Sequence, residues 1–285
     1  MPPPALPTVP GAVLDPRGAL SDLAALAEQA AGDVAPAAAP PSGAQPQVLG
    51  GDISWPQCPT GLGIPERRTL GLPPPLPSAR FVVIGLTNGP GFFPNPCLAD
   101  QVHLARSRGL PVASYSVLSY PDAATLEQHG VGGPYEPGTP DGLLRNVGWA
   151  QARSNIESMV RTGLETPMVW LDIESVPGFD WSADTAANAA VVQGAARGYN
   201  DAGYRIGVYS TPFLWDQIVG DLALGVPEWR PAGPSSRAAA EARCGDDWGI
   251  QGGAAVLVQW VEQQRDLNVT CPRMPGTLGD WFHQL

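Results

Sequence analysis

The sequence predicts an α/β fold, a single TIM-like (β/α)8 barrel over residues 49–285, behind a Pro/Ala-rich arm over residues 1–48. Three observations predict it. From Val48 onward, short apolar runs alternate with helical patterns, as strands joined by helices do. Several of these runs are nearly continuous in apolar residues, which suits parallel strands covered on both faces. The chain of 285 residues is 44% hydrophobic and 15% charged, apolar enough to bury a core and too apolar for a wholly disordered protein.

In chain order, the arm comes first. It holds 10 Pro and 13 Ala in 48 residues, so it has little to bury and reads as a linker or tail. Asp15 to Ala31 could form one short amphipathic helix, with Leu20, Leu23, Leu26 and Ala27 on one face. Strands are expected at Leu49–Ser54, Phe81–Thr87, Val112–Leu118, Met168–Ile173, Arg205–Tyr209, Pro227–Arg230 and Val256–Val261. An eighth is expected near Asp266, where the alternative is an irregular segment. Helices are expected at Cys97–Arg108, Asp141–Thr162, Ser182–Ala202 and Thr211–Gly220, with Asp184–Thr185 and Thr211–Pro212 as start signals. Pro56–Ser78, Tyr120–Pro140 and Ala232–Gly253 read as long Pro/Gly-rich loops. Gly194-x-x-x-Gly198 fits helix packing better than a phosphate loop, since no strand with dinucleotide spacing precedes it.

Charge excludes several functions. The 16 basic residues are all Arg, the acidic residues number 27, and the net charge is −11. Without a basic stripe, nucleic acid is not an expected partner, nor is an anionic membrane surface. No apolar run is long enough for a transmembrane segment. A chain without Lys has no lysine Schiff base and no P-loop lysine. Ser54 and Ser210 have no partnering His in pattern, which disfavours a Ser-His-Asp triad. A monomer is expected.

Cys58, Cys97, Cys244 and Cys271 form no C-x-x-C pair, so a zinc finger is disfavoured. An even number of cysteines fits two disulfides in an oxidised, exported protein, secreted or held at the cell envelope. Of the three possible pairings, Cys58–Cys97 and Cys244–Cys271 are favoured because each closes a moderate loop. The first ten residues, MPPPALPTVP, show no charged or apolar region of a signal peptide, so an exported form would have lost that segment.

Barrels of this kind place function at the C-terminal ends of their strands. Four acids fall there: Asp52 after the first strand, Asp172 and Glu174 at the fourth, and Asp266 after the last apolar run. Along the fourth strand, Trp170, Asp172 and Glu174 share one face, while Val169, Leu171 and Ile173 share the other. The aliphatic face packs on helices, so the acids point into the barrel mouth. Two residues of strand separate the carboxylates by about 6.6 Å. Like charges this close push one pKa upward, and a proton-holding carboxyl beside an ionised one suits glycosidic bond cleavage. Asp-x-Glu at a strand end can instead cap a helix or pair with Arg. A divalent metal among these oxygens is a further reading, but no phosphate motif accompanies it, and neither metal nor cofactor is expected.

Gly-Gly-Asp-Ile-Ser-Trp (50–55), Asp-Ile-Glu (172–174), Gly-Val-Tyr-Ser-Thr-Pro-Phe-Leu-Trp (207–215), Pro-Glu-Trp-Arg-Pro-Ala-Gly (227–233) and a late Gln-Trp before Asp-Leu-Asn resemble the family-25 glycoside hydrolases. These are N-acetylmuramidase lysozymes with irregular β/α barrels. The match runs in order from about Gly50 to Asn268. Asp-Ile-Ser-Trp-Pro-Gln-Cys and Asn-Pro-Cys-Leu look like an exported group of such proteins from high-GC Gram-positive bacteria. The resemblance implies that Glu174 is the general acid and that Asp172 orients the 2-acetamido group in a substrate-assisted, retaining reaction. It implies that Asp52 and Asp266 flank the site. Tyr115, Tyr209 and Trp260 would be sugar-stacking platforms, with Trp55 a further aromatic for a glycan groove. Trp229 and Trp248 are exposed in this reading, as glycan contacts or loop anchors. Two stretches depart from the family. Gly-Leu-Thr-Asn-Gly-Pro-Gly (85–91) lacks the Lys and Glu of its usual Lys-Ala-Thr-Glu-Gly, and Ser-Tyr-Ser-Val (114–117) lacks its His. The expected function is hydrolysis of a β-linked N-acetyl sugar polymer, foremost peptidoglycan. The alternative is a non-catalytic glycan-binding or envelope-assembly protein on the same barrel.

Overall fold

A computed structural model describes residues 44–285 of the chain. The helix expected at Asp15–Ala31 lies outside the described residues. Eight strands close into one barrel in sequence order: β1 (Leu49–Ile53), β2 (Val82–Gly85), β3 (Val112–Val117), β4 (Met168–Asp172), β5 (Arg205–Tyr209), β6 (Glu228–Pro234), β7 (Ala255–Glu262) and β8 (Arg265–Thr270). The helices are α1 (Leu98–Ser107), α2 (Ala123–His129), α3 (Pro140–Thr162), α4 (Thr185–Asp201), α5 (Pro212–Val219), α6 (Arg237–Ala242) and α7 (Leu278–Trp281).

The expectation of an all-parallel sheet needs one correction. β1 to β7 are mutually parallel, but β8 runs antiparallel to both β7 and β1. The two strands are joined by Gln263–Gln264 alone, both at positive φ (51° and 59°). A two-residue turn of this handedness makes a hairpin, and no room remains for a crossover helix. Two of the expected loops also hold helices. Asp122 accepts from the Thr125 amide (2.7 Å) to start α2, and Ser236 accepts from the Ala239 amide (3.2 Å) to start α6.

Side-chain alternation divides the core. Outward residues of the strands, such as Val82, Ile84, Val169, Leu171 and Val208, pack on α1, α3 and α4 through Val102, Ala152, Ile156 and Val192. Inward residues, including Phe81, Val83, Met168, Trp170, Trp229 and Leu257, fill the barrel. Trp170 needs Gly207 beside it on β5, because a Cβ there would collide with the indole. α3 and α4 approach closely through Gly148, Gly194 and Gly198, where added Cβ atoms would meet the opposite helix. The Gly194/Gly198 pair is thus a packing feature, as its spacing predicts. Asp184 accepts from the amides of Ala186 (3.0 Å) and Ala187 (3.2 Å), and Thr211 from that of Leu214 (3.1 Å), so both expected caps form.

The C-terminal segment closes the floor. Trp281 stacks near Trp170 (6.4 Å between centroids, 24°), Phe282 meets Phe81 (4.3 Å), and His283 pairs with Val112 across backbones. Trp281→Ala is expected to cost about 3–5 kcal/mol, as large buried aromatics do. Urea unfolding followed by far-UV circular dichroism checks it, and a cost below ~1 kcal/mol would mean the floor packs without this ring.

Both disulfides have the expected pairing, Cys58–Cys97 and Cys244–Cys271, closing 39 and 27 residues. The first ties the loop after β1 to the start of α1, and the second ties the loop after α6 to the end of β8. The end of the arm is also bound: Gln45 donates to the Gly276 carbonyl (2.6 Å) and the Val48 amide to the Thr270 hydroxyl (2.9 Å).

Candidate active site

A recess of about 310 Å³ opens at the C-terminal end of the parallel strands. It is lined by Asp52, Trp55, Tyr115, Asp172, Glu174, Tyr209 and Asp266, all residues the sequence proposes, together with Trp229 and Gln259. Strand register brings them together. Asp52 on β1 lies opposite Asp266 on β8. Asp172 lies level with Tyr209, and Tyr209 with Trp229. Glu174 stands two residues beyond Asp172, past the end of β4. Asp266 reaches the mouth because β8 is reversed: the N-terminal end of an antiparallel strand meets the C-terminal ends of its neighbours.

Trp260 is a correction. Only 2% of it is exposed, and it packs with Ala240, Val258, Leu267, Val269 and Cys271 on the outer side of β7. Alternation sends Gln259 inward and its neighbour outward, so Trp260 cannot stack a sugar in this recess. Trp229, expected to be exposed, is buried, and its ring forms part of the recess floor. Tyr209 and Tyr115 meet it edge-on, with centroids at 4.5 and 5.8 Å. At Gly85, a Cβ would come within 2.7 Å of the Tyr115 ring, so this glycine leaves the space the tyrosine occupies.

Sequence reasoning missed the residues that hold Asp52. Its Oδ1 accepts from Gln259 Nε2 (2.9 Å) and Asn268 Nδ2 (2.6 Å). Tyr209 Oη donates to Gln259 Oε1 (2.7 Å), and Trp229 Nε1 donates to Asn268 Oδ1 (2.7 Å). Each amide thereby has its oxygen satisfied and its NH2 aimed at the carboxylate. The signal was available: Gln259 and Asn268 stand in the late Gln-Trp and Asp-Leu-Asn stretches, and Asn268 shares a strand face with Asp266.

Asp172 is the contrasting acid. It is 3% exposed, and its Oδ1 has no hydrogen-bond partner among the described residues. Glu174 is half-buried, and its backbone carbonyl accepts from Trp181 Nε1 (3.0 Å). All four acids hold protons above the usual carboxylate range, and burial is the leading cause in each. Like charge comes second: Asp266 acts on Asp52 and on Glu174, and Glu174 acts on Asp172. The Arg67 guanidinium pulls Glu174 the other way, as the Gln57 hydrogen bond does for Asp266 (3.4 Å). Burial also keeps the Tyr115 and Tyr209 phenols protonated, well above their ordinary range.

The altered stretch after β2 has a structural role. Asn88 is buried; it accepts from the Ile64 amide (2.7 Å) and donates to the Arg67 carbonyl (3.0 Å). Arg67 in turn donates to the Pro177 carbonyl (2.7 Å) in the loop that follows Glu174. The stretch thus fixes the loop that supplies the cation acting on Glu174. Among the described residues, no three His, Cys, Asp or Glu side chains are grouped to hold a metal ion. No helix among them is long and apolar enough to cross a membrane.

An eight-stranded β/α barrel with a cluster of buried carboxyls at its mouth has the arrangement that glycosidic bond cleavage uses. Known proteins match this chain in part. A family model described as Lysozyme-like protein 1 matches residues 139–229, from α3 to the start of β6. A "Probable GH family 25 lysozyme 4" of Dictyostelium discoideum is 44% identical over 64 residues, 22% of this chain and 29% of that protein. Two solved structures share the fold. A family GH25 lysozyme from Aspergillus fumigatus aligns over 82% of this chain and 96% of its own at 17% identity, TM-score 0.50. A bacterial lysozyme from Streptomyces coelicolor aligns over 82% and 94% at 15% identity, TM-score 0.50. The chain thus resembles lysozyme-like proteins over part of its length, and its barrel has the fold of these two lysozymes. The matched stretch spans less than a third of the curated relative's length.

Proposed function

We propose that this protein is an exported muramidase-like hydrolase that cleaves the glycan of peptidoglycan by a retaining, substrate-assisted reaction. The observation that carries this reading is the pair at the end of β4. Asp172 is a buried carboxyl that lines the recess and has one oxygen without a hydrogen-bond partner among the described residues, and Glu174 is a half-exposed carboxyl beside it with a raised pKa. A buried acceptor without a partner is costly, and a substrate N–H would satisfy it. The 2-acetamido N–H of an N-acetyl sugar is such a donor.

In the first step, Glu174 gives its proton to the glycosidic oxygen and the bond to the anomeric carbon breaks. The acetamido oxygen attacks that carbon, and Asp172 holds the N–H while positive charge develops on the acetamido group. In the second step, Glu174, now ionised, takes a proton from water. The water oxygen bonds to the anomeric carbon, and the acetamido group is restored with net retention. Asp52 is anchored by Gln259 and Asn268, which makes it a fixed polar wall of the site rather than a mobile acid. Tyr115, Tyr209 and Trp55 line the space a sugar ring would take. Two disulfides support an oxidising compartment.

The test is incubation with purified peptidoglycan from a high-GC Gram-positive wall. New reducing ends and soluble fragments ending in N-acetylmuramic acid are the expected result, read by mass spectrometry. Co-sedimentation with the wall but no release would overturn hydrolysis of this substrate and favour the non-catalytic glycan-binding reading.

A further inference from the structure

Beside the recess, the barrel mouth carries a second hollow that the reaction above does not use. A groove of about 550 Å³ lies between Thr211, Pro212 and Phe213 at the start of α5 and Arg243, Asp247 and Trp248 beyond α6. Its aromatic walls face outward: Phe213 is 66% exposed and Trp248 39%. The Arg243 guanidinium lies 4.4 Å from the centre of the Trp248 ring. Arg243 is half-buried, its Nη1 donates to the Pro231 carbonyl, and no carboxylate among the described residues pairs with it. Tyr209 lines the recess and Thr211, two residues further on, lines the groove, so the chain leaving β5 borders both hollows.

The loop that presents Trp248 is braced on both sides. Arg230 and Glu228 form a buried ion pair at 2.7 Å. Arg230 Nη1 donates to the carbonyls of Arg243 (2.8 Å) and Gly245 (2.7 Å), before Trp248. Glu228 accepts from the amides of Ile250 (2.9 Å), Gln251 (2.9 Å) and Gly253 (2.8 Å), after it. Cys244 is bonded to Cys271 on the barrel wall. A loop centred on an exposed indole is thus pinned on both sides of that indole. Such a surface binds with little loss of chain freedom.

We propose that this groove is a further sugar-binding subsite. It takes one more unit of the glycan chain that occupies the recess, with the ring's apolar face on Trp248 and Phe213 and an acidic substituent at Arg243. Adjacency to the recess, across Tyr209 and Thr211, selects a chain that runs from one hollow to the other. The Arg243 guanidinium, which pairs with no carboxylate among the described residues, selects a unit carrying a carboxylate. The assignment rests on the glycan reading of the recess.

The experiment uses the full chain carrying Glu174→Gln, so that ligands stay intact. Isothermal titration calorimetry compares N-acetylglucosamine oligomers of increasing length with muramic-acid-containing strands of the same lengths. Affinity is expected to rise once an oligomer is long enough to leave the recess. Trp248→Ala should remove that gain, about tenfold, and leave the shortest binding oligomer unchanged. Arg243→Met should remove the preference for muramic-acid strands while neutral oligomers keep their affinity. Thermal unfolding confirms that both variants fold; if Arg243→Met does not, the Trp248→Ala series decides alone. If short oligomers bind but the gain with length is absent, or survives Trp248→Ala, the subsite is overturned and the recess reading stands. If no oligomer of either kind binds, both fall. If Trp248→Ala instead changes the sedimentation coefficient with no effect on the length gain, the face pairs with a second copy and the subsite is overturned.

Discussion

Glu174→Gln is expected to lower kcat on peptidoglycan by about 10²–10⁴-fold, the range a general acid contributes. Glutamine keeps the shape and the half-buried position but carries no transferable proton. Binding to the wall should persist, because Tyr115, Tyr209, Trp55 and Asp172 are untouched, so KM should change far less than kcat. The wild-type pH profile adds a second check. The proposed acid role needs Glu174 protonated, and burial and Asp266 raise its pKa while Arg67 only partly opposes them. The alkaline limb of kcat/KM should therefore lie above the ordinary Glu value of about 4.3. Release of reducing ends at full rate by Glu174→Gln would remove this residue from the acid role.

Asp172→Asn should cost turnover about 10²–10³-fold, as loss of one preorganised charge-stabilising group does. It should also raise the unfolding temperature at neutral pH. In the folded protein, burial and the nearby Glu174 hold the Asp172 pKa well above its ordinary value. In the unfolded chain it titrates near ~3.9. Between those two values the folded state binds the extra proton, so stability falls as pH rises through this window. Above the folded pKa, the wild type carries the whole penalty of a buried anion. Asparagine is neutral at every pH and carries none. The stability gap should therefore be small near pH ~4 and widen upward. Calorimetric unfolding of both proteins from acid to neutral pH measures it, and a variant less stable than wild type at neutral pH would contradict a destabilising Asp172. A stabilising change at a site that loses activity is the usual exchange between function and stability.

The site was partly legible before any coordinates. Asp172 and Glu174 announced themselves because a β-strand has a period of two, and the apolar partner face left only one direction for them. The same arithmetic applied to β7 places Gln259 inside, in the recess lining, and Trp260 outside, but an aromatic in a late Gln-Trp pair draws the eye to the wrong one of the two. Asn268 stayed hidden because it acts only through Asp52, 216 positions away in sequence. The helices α2 and α6 escaped notice because each is a short run inside a Pro/Gly-rich stretch, where only the Asp122 and Ser236 caps mark a start.

The sequence by itself determined the barrel class, seven of its strands in outline, the four helices with strong periodicity, the acids at the mouth and the favoured disulfide pairing. All of these rest on local rules: periodicity, capping and the closing of moderate loops. Tertiary structure alone decided the direction of β8, because the Gln263–Gln264 turn has none of the residues that usually announce a hairpin. It alone decided that burial outweighs like charge in raising the four pKa values, since desolvation depends on everything packed around a group. And it alone decided that the Glu228–Arg230 pair braces the loop carrying Trp248, because hydrogen bonds across some 20 residues of loop exist only once the barrel has closed.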